Sequence, residues 1–479
     1  MNAQERSRLL RPPTVEGVWV AIAIAVPVVV AFLTPNSALD LAYQIRAGNV
    51  MLDTHHLLDM DTFTYTVYGQ PWLNQQWGAQ VLLASLYRAG GWGMVMLARG
   101  VLIAATLSFV YRACREAGAA PRTSAFLTMA GWAVAIEILP TARPQQFGFV
   151  LFAATMWAIT VRHRLPWILW FVPVLVIPWA NMHGSFPLVF VLLGLAWLRD
   201  RKTDPRIARR ILAVAALSAL ATLVNPYGVR VWAYVRDLST HPIVSLRVSE
   251  WRPPSVHTLT GLLFFLSLFG VATLLAARRE KVGWLALLTL GLFAGLSLLA
   301  IRGVVWWALV APVVVAGVLV DGSGVRVPRR SLMNAVMAAG LAVLVAVTLP
   351  FGRGTNPATG GPTVLTFAPE RLVAAIRDAI PSGSHIFTSQ FAASWTELSA
   401  PTLPVAVDSR IELFPESVWD DYFAVSEGRQ GWQDVLDRWG VDALILDPDQ
   451  AEGLLTAVGS DPTWRLLLST DDGSAYVRT

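Results

Sequence analysis

Cysteine is almost missing from this 479-residue chain, and charge is scarce. The single cysteine, Cys114, rules out an intramolecular disulfide and any metal cluster held by thiolates. Asp, Glu, Lys and Arg together make up 14% of the residues against 55% hydrophobic ones, and the mean hydropathy is +0.52. That balance lies outside the range of a soluble globular protein and leaves a polytopic membrane protein. The net charge of +5 does not read as a nucleic-acid footprint, because the basic residues gather in short loops between apolar runs, where they set topology. No internal repeat and no low-complexity tract beyond one linker is present.

Apolar runs of the length needed to cross ~30 Å of hydrocarbon begin with Val18 to Thr34 and end with Leu332 to Pro350, and about eleven spanning helices are expected. Arg6, Arg8 and Arg11 precede the first run, which has no small-residue cleavage site before Asn36, so it reads as an uncleaved helix with a cytoplasmic amino terminus. Arg112 to Arg122, Arg162 and Arg164, Arg199 to Arg210, Arg278 to Lys281 and Arg326 to Arg330 then fall on alternate loops, consistent with a plasma (inner) membrane location and the positive-inside rule. The domain boundaries follow. Residues 1–350 form the membrane part, 351–363 a Gly/Pro-rich linker, and 364–479 a soluble α/β domain on the external side. In that domain helices are expected at Pro369 to Ile380 and Gly431 to Trp439. Strands are expected at His385 to Thr388, Pro404 to Asp408, Ala443 to Asp447, Trp464 to Ser469 and Ala475 to Arg478. This part has no phosphate-cradling loop, no metal-ligand spacing and no nucleophile elbow.

The long polar stretch in the membrane part is residues 36–77. It carries Asp40, Asp53, Asp59 and Asp61, two adjacent histidines, and Asn74, Gln75 and Gln76 between two tryptophans. Arg143, His183, Glu250 and Arg302 fall on loops of the same external face. Any one of these could be ordinary loop polarity, but five loops converging on one face point to a site. Glu137, in GWAVAIEILP, stands about one turn inside a spanning run, where an ionisable group costs ~2–3 kcal/mol unless partnered. Arg143 or Arg302 is the expected partner. DSRIELFPE could line a site, because Asp408 and Arg410 follow a strand end, but a structural ion pair is the preferred reading.

From Ala38 to Arg99 the order of features resembles the first external loop of GT-C superfamily membrane glycosyltransferases, in particular those using polyprenyl-phosphate sugars. An acidic residue after the first helix (Asp40), an aromatic three positions on (Tyr43), Gly48, an aromatic and proline-containing stretch from Pro71 to Trp77, an amphipathic helix from Ala79 to Tyr87, and Arg99 carry the likeness. The landmarks NSALDLAYQIRAG, GQPWLNQQWGAQ, ARPQQF, NMHGS, NPYG, SEWRPP and VDSRIELFP resemble a bacterial subgroup of that superfamily. The chain departs from the pattern at two places: a second acidic residue usually stands beside the first, and Lys-Pro-Pro or His-Glu often stands where this chain has Asn74 to Gln76. The resemblance implies a GT-C-like helical membrane body with an external α/β domain. It also implies a lipid-linked sugar donor, a cell-envelope glycan, lipid or protein acceptor, contact with membrane lipids, and no nucleic acid.

In that role Asp40 is the catalytic base for an acceptor hydroxyl. Tyr43, Asp59, Asp61, Asn74, Gln76, Glu137, Arg143, His183 and Arg302 bind substrate, and the arginines meet the leaving phosphate. No resident metal site is expected, and a divalent cation travelling with the donor is left open. Two other readings stand beside this one: a non-catalytic scaffold that binds lipid-linked glycans, and a transporter, which would instead place its charges near the midplane.

Overall fold

Thr14 opens the first helix by accepting the Gly17 N–H with its hydroxyl, and from there the chain is mainly helical. The computed structural model describes residues 12–240, 249–320 and 329–479, so Arg6, Arg8, Arg11 and Arg326 lie outside the described residues. Helix α1 (Val15–Leu33) is followed by a short helix α2 (Leu41–Thr54) and by α3 (Trp77–Glu116). Non-helical dihedrals at Gly90 and Gly91 break α3 into an amphipathic half and an apolar half, and Gly91 has φ +58°, a region that favours glycine. This separates the amphipathic helix expected at Ala79 to Tyr87 from the apolar helix that follows it. Helix α2 lies tightly against α3: a Cβ on Gly48 would stand 2.1 Å from the Gln80 carbonyl oxygen, so only glycine allows this approach.

The apolar helices that follow are α4 (Pro121–Val134), α5 (Gln145–Thr160), α6 (Val172–Met182), α7 (Leu188–Asp200) and α8 (Pro205–Ala221). Then come α9 (Arg230–Thr240), which is amphipathic, and α10 (Leu259–Ala277), α11 (Trp284–Leu299), α12 (Val304–Val318) and α13 (Leu332–Val347). The core of the bundle is α12, buried along nearly its whole length between α4, α3 and α11. By contrast α10, α11 and α13 turn Phe269, Leu299 and Leu332 outward, as lipid-facing helices do.

Four helices among the described residues are long and apolar enough to cross a membrane: Val15–Leu33, Trp77–Glu116, Leu259–Ala277 and Ile301–Val318. This differs from the eleven expected. Several of the remaining apolar runs are divided between a helix and irregular turns, as where Pro166–Phe171 forms a 3₁₀ segment ahead of α6.

Beyond the bundle, α14 (Glu370–Ala379) leads into a four-stranded mixed sheet of β1 (His385–Thr388), β2 (Val441–Leu446), β3 (Trp464–Thr470) and β4 (Gly473–Arg478), in the order β1-β2-β4-β3. Strands β1 and β2 are parallel, and the other pairs are antiparallel. Helices α15 (Gln390–Ser399), α16 (Glu416–Ser426), α17 (Trp432–Arg438) and α18 (Pro448–Val458) pack around the sheet. The strand expected at Pro404 to Asp408 is reduced to a single bridging residue. Pro404 has no N–H for a ladder, and the chain turns back at Asp408, whose side chain accepts the Arg410 N–H at 2.7 Å.

That bridge has a consequence for the site. Val405 pairs with Ile386 on one side and with Thr64 on the other, so the polar loop 36–77 adds itself to the edge of the sheet. Tyr65 N–H donates to the Val405 carbonyl at 3.1 Å, and Val405 N–H donates to Phe63 at 3.3 Å. A second link joins α2 to α15, where Tyr43 N–H donates to Ser394 Oγ at 2.9 Å. The first loop and the C-terminal layer thus share one edge.

Candidate active site

Between that layer and the adjoining end of the bundle lies a cavity of about 690 Å³. Its membrane side is built by the starts and ends of helices: Asp40 before α2, Gln76 before α3, Arg143 before α5, His183 after α6 and Arg302 before α12. Tyr234 comes from α9, and the C-terminal layer covers the cavity with Arg410, Glu412 and Tyr422.

Asp40 occupies the position where an acidic side chain ordinarily caps a helix, yet its carboxylate makes no capping bond. It turns instead to Arg143, whose Nε donates to Asp40 Oδ1 at 2.8 Å, while the other arm of the guanidinium binds Glu250 Oε1. Burial opposes the charge on Arg143, but Asp40 and Glu250 outweigh it and hold the group firmly protonated. For Glu250 burial likewise pushes the pKa up, and Arg143 with Arg302 pull it below its usual value. Glu250 is therefore an anion at neutral pH. The Arg302 guanidinium lies over the Trp251 ring, 4.6 Å from its centroid. It has no ion pair with a described carboxylate.

His183 Nδ1 takes the Ser185 N–H at 3.2 Å and stands 2.8 Å from Ser185 Oγ, which itself accepts the Trp179 indole N–H. These donors assign the ring proton to Nε2. Burial, and then the charge of Arg302, hold the pKa of His183 down at about 3, so it is neutral and a donor at physiological pH. Gln44 Nε2 ties Tyr43 Oη (2.6 Å) to Gln76 Oε1 (2.9 Å) and fixes both at the rim.

The structure brings Asp40, Tyr43, Gln76, Arg143, His183 and Arg302 together and leaves out four of the residues expected with them. Asp59 is exposed on the outer side of the loop, and the bond given there runs from Trp72 N–H to its carbonyl. Asn74 is 1% exposed and braces the turn, with its amide on Gln80 Oε1 at 2.6 Å. Its neighbour Gln75 likewise clamps the Ala180 carbonyl at 2.7 Å.

Glu137 pairs with neither Arg143 nor Arg302. Helix α4 ends at Val134, so Glu137 sits in exposed turns, where its carboxylate accepts the backbone N–H of Thr260 at 3.0 Å and the Thr260 hydroxyl at the start of α10. Asp61 is fully buried beneath the cavity. It takes the Thr64 N–H and hydroxyl and one arm of Arg410, whose remaining bonds go to Asp408. The guanidinium is sandwiched between Phe63 and Trp72, at 4.9 and 4.6 Å.

Sequence reasoning passed over Tyr234, placed Glu250 with the converging loops but gave it no role, and noted DSRIELFPE without singling out Glu412. Glu250 and Arg143 are 107 positions apart, and nothing local links them. Glu412 follows the conspicuous Asp408 and Arg410 in DSRIELFPE, and its closeness to them was the available signal. Among the described residues no group of three or more His, Cys, Asp or Glu is arranged to hold a metal ion.

No family model matches the chain, and no curated protein matches it significantly. Solved structures do. The oligosaccharyltransferase of Archaeoglobus fulgidus superposes with a TM-score of 0.52 at 12% identity, over 96% of this chain and 74% of its own. The mycobacterial arabinofuranosyltransferase AftD superposes with a TM-score of 0.57 at 16% identity, over 98% of this chain but 42% of its own, so this chain spans less than half of that larger protein.

Proposed function

We propose that this chain, which shares the GT-C fold of both structures, is an integral-membrane glycosyltransferase that moves a sugar from a polyprenyl-phosphate donor to a cell-envelope acceptor on the external face. The observation that carries the reading is the turning of Asp40 from its own helix end toward Arg143 and the cavity, at the membrane edge where a lipid-linked sugar can enter. A carboxylate that gives up a cap worth ~1 kcal/mol has a role elsewhere.

In this reading Asp40 is the catalytic anion beside the anomeric carbon, where positive charge develops as the bond to phosphate breaks. Arg143 holds it in place. Arg302 faces the leaving phosphate, since no described carboxylate pairs with its charge. His183 Nε2, Tyr43 and Gln76 offer hydrogen bonds to sugar hydroxyls, and Asp61, behind Arg410, supports the cover of the cavity. The polyprenyl tail lies along the apolar bundle, which in this reading spans the inner membrane about eleven times, some spans being short or tilted, with the amino terminus cytoplasmic and residues 364–479 outside. Reporter fusions at Thr479 test the topology: activity of a periplasmic enzyme there agrees with it, and cytoplasmic fluorescence there contradicts it.

The experiment on function uses purified protein in nanodiscs with a panel of synthetic polyprenyl-phosphate hexoses and pentoses. Transfer of label to an envelope extract by the parent, and its loss in Arg302→Ala, is the expected result. Binding of these donors without transfer to any acceptor would favour the scaffold reading instead.

A further inference from the structure

The cavity holds a second carboxylate. Glu412 enters from the C-terminal layer, on the side opposite the helix ends that carry Asp40, and its Oε1 accepts the Tyr234 hydroxyl of α9 at 3.0 Å. No described Lys or Arg forms an ion pair with it: Arg410, two residues away, is committed to Asp408 and Asp61. Tyr43 and Tyr234 face it from α2 and α9, and Asp408 and Arg410 from its own segment.

The two carboxylates are set up for different work. Asp40 is committed to Arg143, which Glu250 holds from its other side, so its carboxylate is occupied by the guanidinium and not free for an acceptor hydroxyl. Glu412 meets a neutral hydroxyl and an open cavity. Burial raises its pKa above the ordinary value, while the Tyr234 bond and Arg410 restrain the rise, and a base shifted toward the working pH is the stronger one.

We propose that Glu412 is the general base of the transfer, held in position by Tyr234, and that Asp40 acts electrostatically. This rests on the transferase reading above. As the acceptor oxygen bonds to the anomeric carbon, its proton passes to a Glu412 carboxylate oxygen. The bond from the anomeric carbon to phosphate oxygen breaks, and its electron pair leaves with the polyprenyl phosphate. Glu412 then returns the proton to water in the cavity. The C-terminal layer therefore supplies a reacting group as well as a cover.

The test compares the parent, Glu412→Gln, Tyr234→Phe and Asp40→Asn across pH in nanodiscs, using the donor panel described above. Glu412→Gln is expected to lower kcat by ~10²-fold or more, with donor KM nearly unchanged, and to remove the acid limb of the pH–rate profile. Tyr234→Phe should keep most of the high-pH rate and move that limb to higher pH, because the lost hydrogen bond favoured the anion. A Glu412→Gln enzyme with parental kcat and an intact acid limb overturns the proposal.

If the parent transfers no sugar from the panel, the transferase reading fails, and infrared titration still judges Glu412. Above pH 4.5 the protonated-carboxyl band, to which Glu397 also contributes, should be equally strong in the parent and in Asp40→Asn and weaker in Glu412→Gln, and that difference should fade at higher pH. A band of equal strength in all three proteins overturns the assignment.

Discussion

Two arginines in this molecule are each held between two carboxylates, and they do opposite things. Arg143 lies between Asp40 and Glu250 on the wall of a cavity, with about a fifth of its side chain exposed. Arg410 lies between Asp61 and Asp408 with 1% exposed, its flat faces covered by Phe63 and Trp72. The chemistry of the trio is the same in both. What differs is access to water and the number of remaining bonds. Arg410 binds the loop 36–77 to the C-terminal layer from inside, whereas Arg143 holds its two partners on the wall of an open cavity. Residue type alone therefore does not distinguish a buried ion pair from one that lines a cavity.

The contrast can be broken by mutation, and the largest effect is expected at the buried trio. Arg410→Ala leaves two carboxylates uncompensated in the interior and should cost ~3–5 kcal/mol, seen as a large fall in Tm or failure to accumulate in the membrane. Arg143→Ala, at a partly hydrated site, should lower stability by about 1 kcal/mol or less while sugar transfer falls by ~10²-fold or more. A variant of Arg143 that unfolds as readily as the Arg410 one would erase the distinction. Next in size is Glu397, 3% exposed on α15 beside Asp408. Burial, and then the charge of Asp408, raise its pKa well above 4.5, so it keeps its proton to higher pH in the folded protein than in the unfolded chain.

The sign follows from linkage. Between pH 4.5 and the raised value the unfolded chain has lost this proton and the folded one keeps it, so stability from Glu397 is full at low pH and declines as pH rises. Glu397→Gln should flatten that part of the Tm-against-pH curve, and an unchanged slope would show that Glu397 is not the titrating group. The smallest effect belongs to Glu137. Glu137→Gln keeps an acceptor for Thr260 and should change stability by less than ~1 kcal/mol and transfer not at all. A large loss of transfer would return Glu137 to the site.

Much of the frame was legible because it depends on local patterns. Short apolar runs bounded by turn residues marked β1 to β4 to within two residues at each end, and Gly48 and the start of α2 at Asp40 each have a short-range signature. The extent of spanning helix was not legible, since an apolar run such as 166–182 reads the same whether it coils as one helix or begins with a 3₁₀ turn. Glu137 misled for a related reason: the apolar run continues to Leu139, but the helix stops at Val134. Helix α15 was missed because it is buried on several faces, so QFAASWTELS shows no clean polar stripe. The site was half legible. Asp40, Arg143 and Arg302 stand out as charges at helix ends, whereas Glu250 and Glu412 join them only through contacts 107 and 178 residues apart, which the linear pattern cannot show.

If sugar transfer occurs in the cavity beside Asp40, Asp40→Asn measures it most directly. Asparagine keeps the shape and the backbone of α2, and Asp40 supplies no side-chain cap to lose, so the protein should fold with a nearly parental Tm and still bind a polyprenyl-phosphate sugar. Its rate of transfer should fall by ~10²-fold or more, because the fixed anion beside the anomeric carbon is gone. Transfer by Asp40→Asn at the parental rate would contradict the account and place the reaction elsewhere in the molecule.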